Sequence, residues 1–139
     1  MGQKDVSPQD GKYKIKGKNN KDLELKLSGN DDDYIVTEFD ADLASIKTKV
    51  PNLPEQTPSG NPIEWFACYA VYKKDKSKPN KKGGYASVDY TVTLKKADIP
   101  DGKNLYAYYN NSLNQLVYTT NGNKITFSLN AGDPPIGNG

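Results

Sequence analysis

The sequence contains no histidine and no arginine, and all 19 of its basic side chains are lysines. Without histidine, the chain cannot form a Ser-His-Asp triad, a Cys-His pair or a histidine metal site. Without arginine, it lacks the planar fork that recognises a phosphate or a guanine through two parallel hydrogen bonds. These absences remove the residue types on which many enzymes depend, so we expect a protein without catalytic activity.

Cysteine and long apolar runs are equally scarce. The one cysteine, Cys68, excludes an internal disulfide and a zinc site built from several thiolates. It lies in the most apolar segment, which predicts a buried and inert thiol. No apolar run approaches the roughly 18 residues of a membrane-spanning helix, so we expect no membrane insertion. The net charge of +2 gives no strong field, and we expect no nucleic-acid partner.

The residues that are present predict an all-β fold. The 139 residues correspond to one domain, and abundant Tyr, Asn, Gly and Pro are typical of turn-rich β proteins. Apolar and polar residues alternate most clearly over 88–94. Residues 63–72 are apolar on both faces, which predicts a central strand. Residues 43–50 fit a helical stripe or a strand, and their β-branched side chains favour a strand.

Turn signals separate these segments every 8–15 residues, and together they predict an antiparallel β-sandwich of about eight or nine strands. Residues 51–62 hold four prolines and are predicted to be a loop, and Asn121-Gly122-Asn123 predicts a tight hairpin. The polar residues 1–10 are expected to be a flexible tail, and the Gly- and Pro-containing residues 132–139 a linker. The sandwich domain would then span residues 11–131.

The C-terminal half carries an ordered set of features. They are the strand 88–94, the turn Ile99-Pro100-Asp101-Gly102, the strand Leu105-Tyr106-Ala107-Tyr108-Tyr109, the segment Leu116-Val117-Tyr118, the turn Asn121-Gly122-Asn123 and the strand Ile125-Thr126-Phe127-Ser128-Leu129. This order resembles the end of the immunoglobulin-like sandwich modules that are repeated in bacterial surface and secreted proteins. The resemblance covers about 50 residues and implies an immunoglobulin-like fold, an extracellular or cell-surface location and a scaffold or binding role.

From the resemblance we expect a non-catalytic extracellular module that acts as a spacer or as an adhesion domain. Its partner would be a surface protein or a glycan, and the isolated domain is expected to be monomeric. The alternative is a carbohydrate-binding module that uses exposed tyrosine side chains and that could be assisted by calcium. No other cofactor is expected.

Three aromatic side chains are the candidate glycan-binding residues: Trp65, Tyr106 and Tyr108. If Leu105 and Ala107 face the core, Tyr106 and Tyr108 lie together on the outer face, about 7 Å apart. Two such rings would form a platform for the apolar face of a sugar. The alternative is that these rings pack on the protein itself, and for Trp65 core packing is the favoured interpretation.

Four aspartates are the candidate calcium ligands. Asp31 and Asp33 lie in a turn, and Asp40 and Asp42 follow one strand later, each pair with the Asp-x-Asp spacing of oxygen-rich loops. The sequence lacks the glycine and the closing glutamate of an EF-hand. The alternative is a solvated acidic turn that nearby lysines neutralise.

A run of six lysines between residues 73 and 82 is the strongest basic feature. It could contact an acidic partner, but a solvated hairpin that discourages edge-to-edge pairing is the favoured interpretation.

Overall fold

The computed structural model describes residues 2–79 and 81–139. Two antiparallel sheets, of seven and five strands, pack face to face, which confirms the predicted all-β sandwich. The strands are β1 (Gln3–Val6), β2 (Tyr13–Ile15), β3 (Leu23–Leu27), β4 (Tyr34–Phe39), β5 (Glu64–Asp75), β6 (Lys81–Tyr85), β7 (Tyr90–Lys95), β8 (Leu105–Tyr109), β9 (Ser112–Gln115), β10 (Thr119–Asn121), β11 (Lys124–Leu129) and β12 (Pro135–Asn138). Helix α1 (Leu43–Lys49) follows β4.

The larger sheet has the order β1-β4-β5-β12-β8-β9, and β6 pairs with the far end of β5. The smaller sheet has the order β10-β11-β7-β3-β2. The chain passes from β9 in one sheet to β10 in the other, so these two consecutive strands form the same side of the sandwich.

The main core lies between the two sheets and is built by the period-two pattern. On β3, Leu23, Leu25 and Leu27 are buried while the residues between them are not. Val92 and Leu94 on β7 and Phe127 on β11 face the same core. Each fully buried side chain of this size contributes about 1.5–3 kcal/mol through the apolar surface that it removes from water.

A second cluster covers the outer face of the larger sheet. Helix α1 and the loop before β5 place Ile46, Leu53 and Ile63 over this face. The predicted strand over residues 43–50 is therefore wrong. Asp42 caps α1, because its carboxylate accepts a hydrogen bond from the Ser45 amide at 3.0 Å, and Ile46 is fully buried. This cap and the apolar stripe outweigh the β-propensity of the branched side chains.

A β-bulge in β5 decides which residues join which core. Ile136 of β12 pairs with Ala67 and Gly137 pairs with Trp65, so Phe66 is an extra residue. Phe66 and Ala67 consequently both face the inner core, and Trp65 joins the outer cluster with Cys68. Strict alternation along β5 would put Trp65 on the same face as Ala67, and the bulge reverses the alternation at this point.

Both chain ends contribute strands, so the predicted tail and linker need correction. β1 pairs with β4 along all four of its residues, inside the stretch predicted to be a flexible tail. β12 lies between β5 and β8 with all four residues buried, inside the stretch predicted to be a linker. The linker prediction is wrong, because these residues form a central strand of the larger sheet. The strand has only four residues, including Pro and Gly, and therefore shows no alternating pattern in the sequence.

The hydroxyls of Tyr69 and Tyr90 form a buried chain that ends on a backbone carbonyl. Tyr90 donates to the Ala131 oxygen at 2.6 Å, so Tyr69 donates to the Tyr90 oxygen at 2.8 Å. The Tyr90→Phe substitution leaves the Tyr69 hydroxyl and the Ala131 carbonyl without partners and should cost about 2 kcal/mol.

The Tyr69→Phe substitution removes only a donor and should cost about 1 kcal/mol. In the double variant, no buried hydroxyl remains unpaired, so its loss should be smaller than the sum of the two. Urea unfolding of the three variants measures this, and simple additivity would contradict the proposed direction of donation.

Candidate functional site

Two of the three predicted aromatic binding residues are buried. Trp65 is 2% exposed, and its indole Nε1 donates to the Pro54 carbonyl at 2.8 Å. Tyr106 lies in the outer cluster, as the alternation predicted, but it is 5% exposed beneath that cluster. The expected platform of Tyr106 and Tyr108 is therefore wrong for Tyr106, because α1 and the loop before β5 cover this face.

Other aromatic side chains remain accessible. Tyr108 is half-buried at the margin of the outer cluster. Tyr85 is 48% exposed and stacks on Tyr72, with ring centroids 5.2 Å apart and an interplanar angle of 23°. Tyr118 is 36% exposed. These rings belong to different strands and connections, and they do not repeat the platform predicted from β8.

The four predicted calcium ligands divide between the two ends of β4. Asp31 and Asp33 precede this six-residue strand, and Asp40 and Asp42 follow it, which separates the pairs by about 20 Å. Asp33 pairs with the Lys76 ammonium at 2.6 Å, and Asp40 accepts a hydrogen bond from the Gly2 amide. Asp42 caps α1.

Over residues 2–79 and 81–139, no three Asp, Glu or Cys side chains come together in a cluster that could hold a metal ion. The structure therefore does not bring the four predicted ligands to one place.

The lysine run forms the hairpin of β5 and β6, and several of its charges are paired. Lys76 contacts Asp33, Lys81 contacts Asp75 at 3.5 Å, and the Lys82 ammonium lies 2.7 Å from Asp5. The Lys82 side chain reaches Asp5 across the Tyr72 ring, with its ammonium 5.4 Å from the ring centroid. Such pairing reduces the field that an acidic partner would meet, which agrees with a structural hairpin.

Cys68 lies in the outer cluster and is fully buried. Burial raises the pKa of its thiol to about 11, although the nearby Lys49 ammonium opposes this and the Asp133 carboxylate adds to it. The thiol is thus protonated at neutral pH, and a protonated, inaccessible thiol cannot act as a nucleophile.

The side of the sandwich formed by β9 and β10 carries no charge. Residues 104–123 contain no Asp, Glu or Lys, although 26% of the chain is charged. We call residues 112–121, which comprise β9, β10 and the connection between them, the neutral edge. Val117 in this connection is 91% exposed, and nearly all of the other side chains are exposed or half-buried.

The other edge strands carry lysines: Lys4 on β1, Lys14 on β2, and Lys81 and Lys82 on β6. Lysines on an edge strand discourage pairing with another sheet. The neutral edge lacks this protection, and the absence of charge between Lys103 and Lys124 was the sequence signal that could have revealed it.

A groove of about 750 Å³ opens where β7 begins and β11 ends. Tyr109 and Leu129 form part of its apolar lining, and Asp89, Ser128 and Asn130 contribute polar groups. Its volume is within the range of small-molecule sites. The groove therefore offers an aromatic ring next to hydrogen-bonding side chains, which is a combination suited to a sugar.

Among the described residues, no helix has the length and apolar character needed to cross a membrane. No protein-family model, curated protein or solved structure matches the chain.

Proposed function

We propose that this chain is a non-catalytic extracellular module of a bacterial surface or secreted protein, and that it acts in adhesion through the neutral edge. The observation that carries the proposal is the contrast between this edge and the lysine-bearing edges of the same sandwich. An exposed, uncharged edge that includes the accessible side chains of Val117 and Tyr118 is a liability for a protein that binds nothing, because it can associate with other sheets.

The chemistry of the side chains favours recognition over reaction. The chain has no histidine, and its only thiol is buried and protonated. The immunoglobulin-like resemblance of the C-terminal half supports the same class of function and the extracellular location.

A bead adhesion assay tests the proposal. Beads that carry the chain would be mixed with beads coated with the same chain, with a neutral polysaccharide such as xylan, with an acidic one such as hyaluronan, or with albumin. We expect adhesion to at least one of the first three coatings above the albumin level.

The Gln115→Lys variant places a charge on the neutral edge and should abolish this adhesion. The matched Gln56→Lys variant makes the same substitution at an exposed position of the loop before β5, away from both the edge and the groove, and should leave adhesion unchanged. Adhesion to none of the coatings, or equal losses in both variants, would refute the proposal.

The second candidate function is carbohydrate binding in the groove beside Tyr109, which the aromatic and polar lining favours. In this case Tyr109→Ala should remove binding to a polysaccharide panel, and Gln115→Lys should not. Binding would be measured with calcium and with a chelator. A loss of binding only with the chelator would show that calcium takes part in the site.

A further inference from the structure

The hairpin that precedes the neutral edge fixes which backbone groups of β9 point outward. Asn110 and Asn111 both have positive φ, 52° and 58°, as a two-residue type I′ turn requires. Such a turn is closed by a hydrogen-bonded pair, here Tyr109 and Ser112. Because the pairs alternate along an antiparallel ladder, Leu113 and Gln115 are non-hydrogen-bonded partners of β8.

The N–H and C=O groups of Leu113 and Gln115 therefore point away from β8, toward the free side of the strand. The hydrogen bond from the Leu116 amide to the Leu105 carbonyl, at 2.8 Å, agrees with this alternation. The outer edge of β9 thus presents two donors and two acceptors in a regular row.

We propose that β9 pairs with β9 of a second copy of this chain, antiparallel and centred on Asn114. In this register, Leu113 of each copy lies opposite Gln115 of the other, and the outward N–H and C=O groups of both residues form four hydrogen bonds about a two-fold axis. The seven-stranded sheets of the two copies become continuous, and the half-buried Leu113 side chains gain cover on the outer face.

Charge is the reason for choosing a second copy as the partner. A two-fold interface places each surface against itself, so any net charge on it meets a like charge. Lysines on β2 and β6 would meet such repulsion, whereas β9 carries no charge. A neutral strand also gives no electrostatic attraction to an acidic or a basic partner. Pairing with a second copy, which brings no like-charge repulsion at this edge, is therefore favoured over pairing with a charged partner.

The contact area predicts weak pairing. One four-residue strand on each side buries less than the roughly 1,200 Å² of a stable standard interface. The isolated domain should thus be monomeric at micromolar concentration and pair near millimolar concentration. Many copies on one surface would convert this weak contact into adhesion through avidity.

This inference rests on the proposed adhesive function and names its partner. The test compares amide spectra by NMR and sedimentation velocity of the full chain at about 20 µM and about 2 mM, which bracket millimolar association. We expect concentration-dependent shifts centred on the amides of Leu113 and Gln115, together with an increase in sedimentation coefficient. Spectra that are unchanged with concentration, or shifts centred on β1 or β2, would overturn the proposal.

Charge variants at position 115 distinguish pairing in this register from nonspecific association. Gln115→Lys alone should weaken pairing at least tenfold, since the two new ammonium groups become diagonal neighbours across the axis. Gln115→Glu alone should do the same, and an equimolar mixture of the two variants should restore pairing. Failure of the mixture to restore it would count against the two-fold register. Gln56→Lys, at an exposed position outside the edge, serves as the folded, equally charged control.

The two proposals fail in different ways. If beads bind a polysaccharide through the neutral edge but the chain does not self-associate, the adhesive function stands and homotypic pairing is wrong. If neither occurs, both are wrong.

Discussion

Removal of residues 134–139 is expected to unfold the protein. These residues include β12, which lies between β5 and β8 and is hydrogen-bonded to both. Without it, the centre of the larger sheet loses two ladders, and Ile136, which is fully buried, leaves the main core. The lost burial and hydrogen bonding should exceed about 5 kcal/mol, which is comparable to the whole stability of a typical domain. Circular dichroism and thermal unfolding would measure the loss.

The matched control removes the same number of residues from the other end. Deletion of residues 1–6 removes β1, which is an edge strand with mostly exposed side chains. It also removes Asp5, whose carboxylate pairs with the half-buried Lys82 and accepts a hydrogen bond from the Thr37 hydroxyl, and each of these contacts contributes about 1 kcal/mol or less. This variant should keep a cooperative transition and lose about 1–2 kcal/mol. Equal effects of the two deletions, or a folded C-terminal deletion, would contradict the central role of β12.

Comparison of these two ends shows what the alternating pattern can and cannot predict. Segments with one buried face, such as β3 and β7, show period-two alternation, and the clearest of them, β7, was predicted from sequence. β12 is buried on both faces and only four residues long, so its sequence carries no alternation. Its structure comes from its neighbours, which supply hydrogen bonds on both sides, and a local pattern cannot report this.

The outer cluster shows the same limit for side chains. Tyr106 was correctly assigned to the face opposite Leu105, but whether a face is exposed depends on elements distant in sequence. Here the covering elements are α1 and the loop of residues 51–62, and this loop was predicted only as a loop. The absence of charge over residues 104–123, in contrast, is visible in the sequence. That β9 and β10 lie at sheet edges is known only from the structure, since the same uncharged stretch also contains the interior strand β8.

Gly137→Ala is expected to destabilise the protein strongly although it adds a single methyl group. A Cβ at this position would lie 2.7 Å from the Glu64 carbonyl oxygen, 2.8 Å from the Trp65 ring and 3.0 Å from an Ile63 methyl group. Because Gly137 has no side chain, the Trp65 ring packs directly on the β12 backbone. Overpacking of a buried site costs about 1–3 kcal/mol, and contacts to backbone and a fixed ring place this variant at the upper end.

Gly84→Ala is the matched control for this substitution. Gly84 lies in the exposed strand β6, it has no positive φ, and a Cβ there would have no atom within 4 Å. Its stability should change by no more than about 0.5 kcal/mol, with a small gain because alanine restricts the unfolded chain. Urea unfolding followed by the fluorescence of Trp65, the only tryptophan, would measure both variants and report directly on the altered contact. If Gly137→Ala were as stable as Gly84→Ala, the indole would not be held against β12, and the buried position of Trp65 would need another explanation.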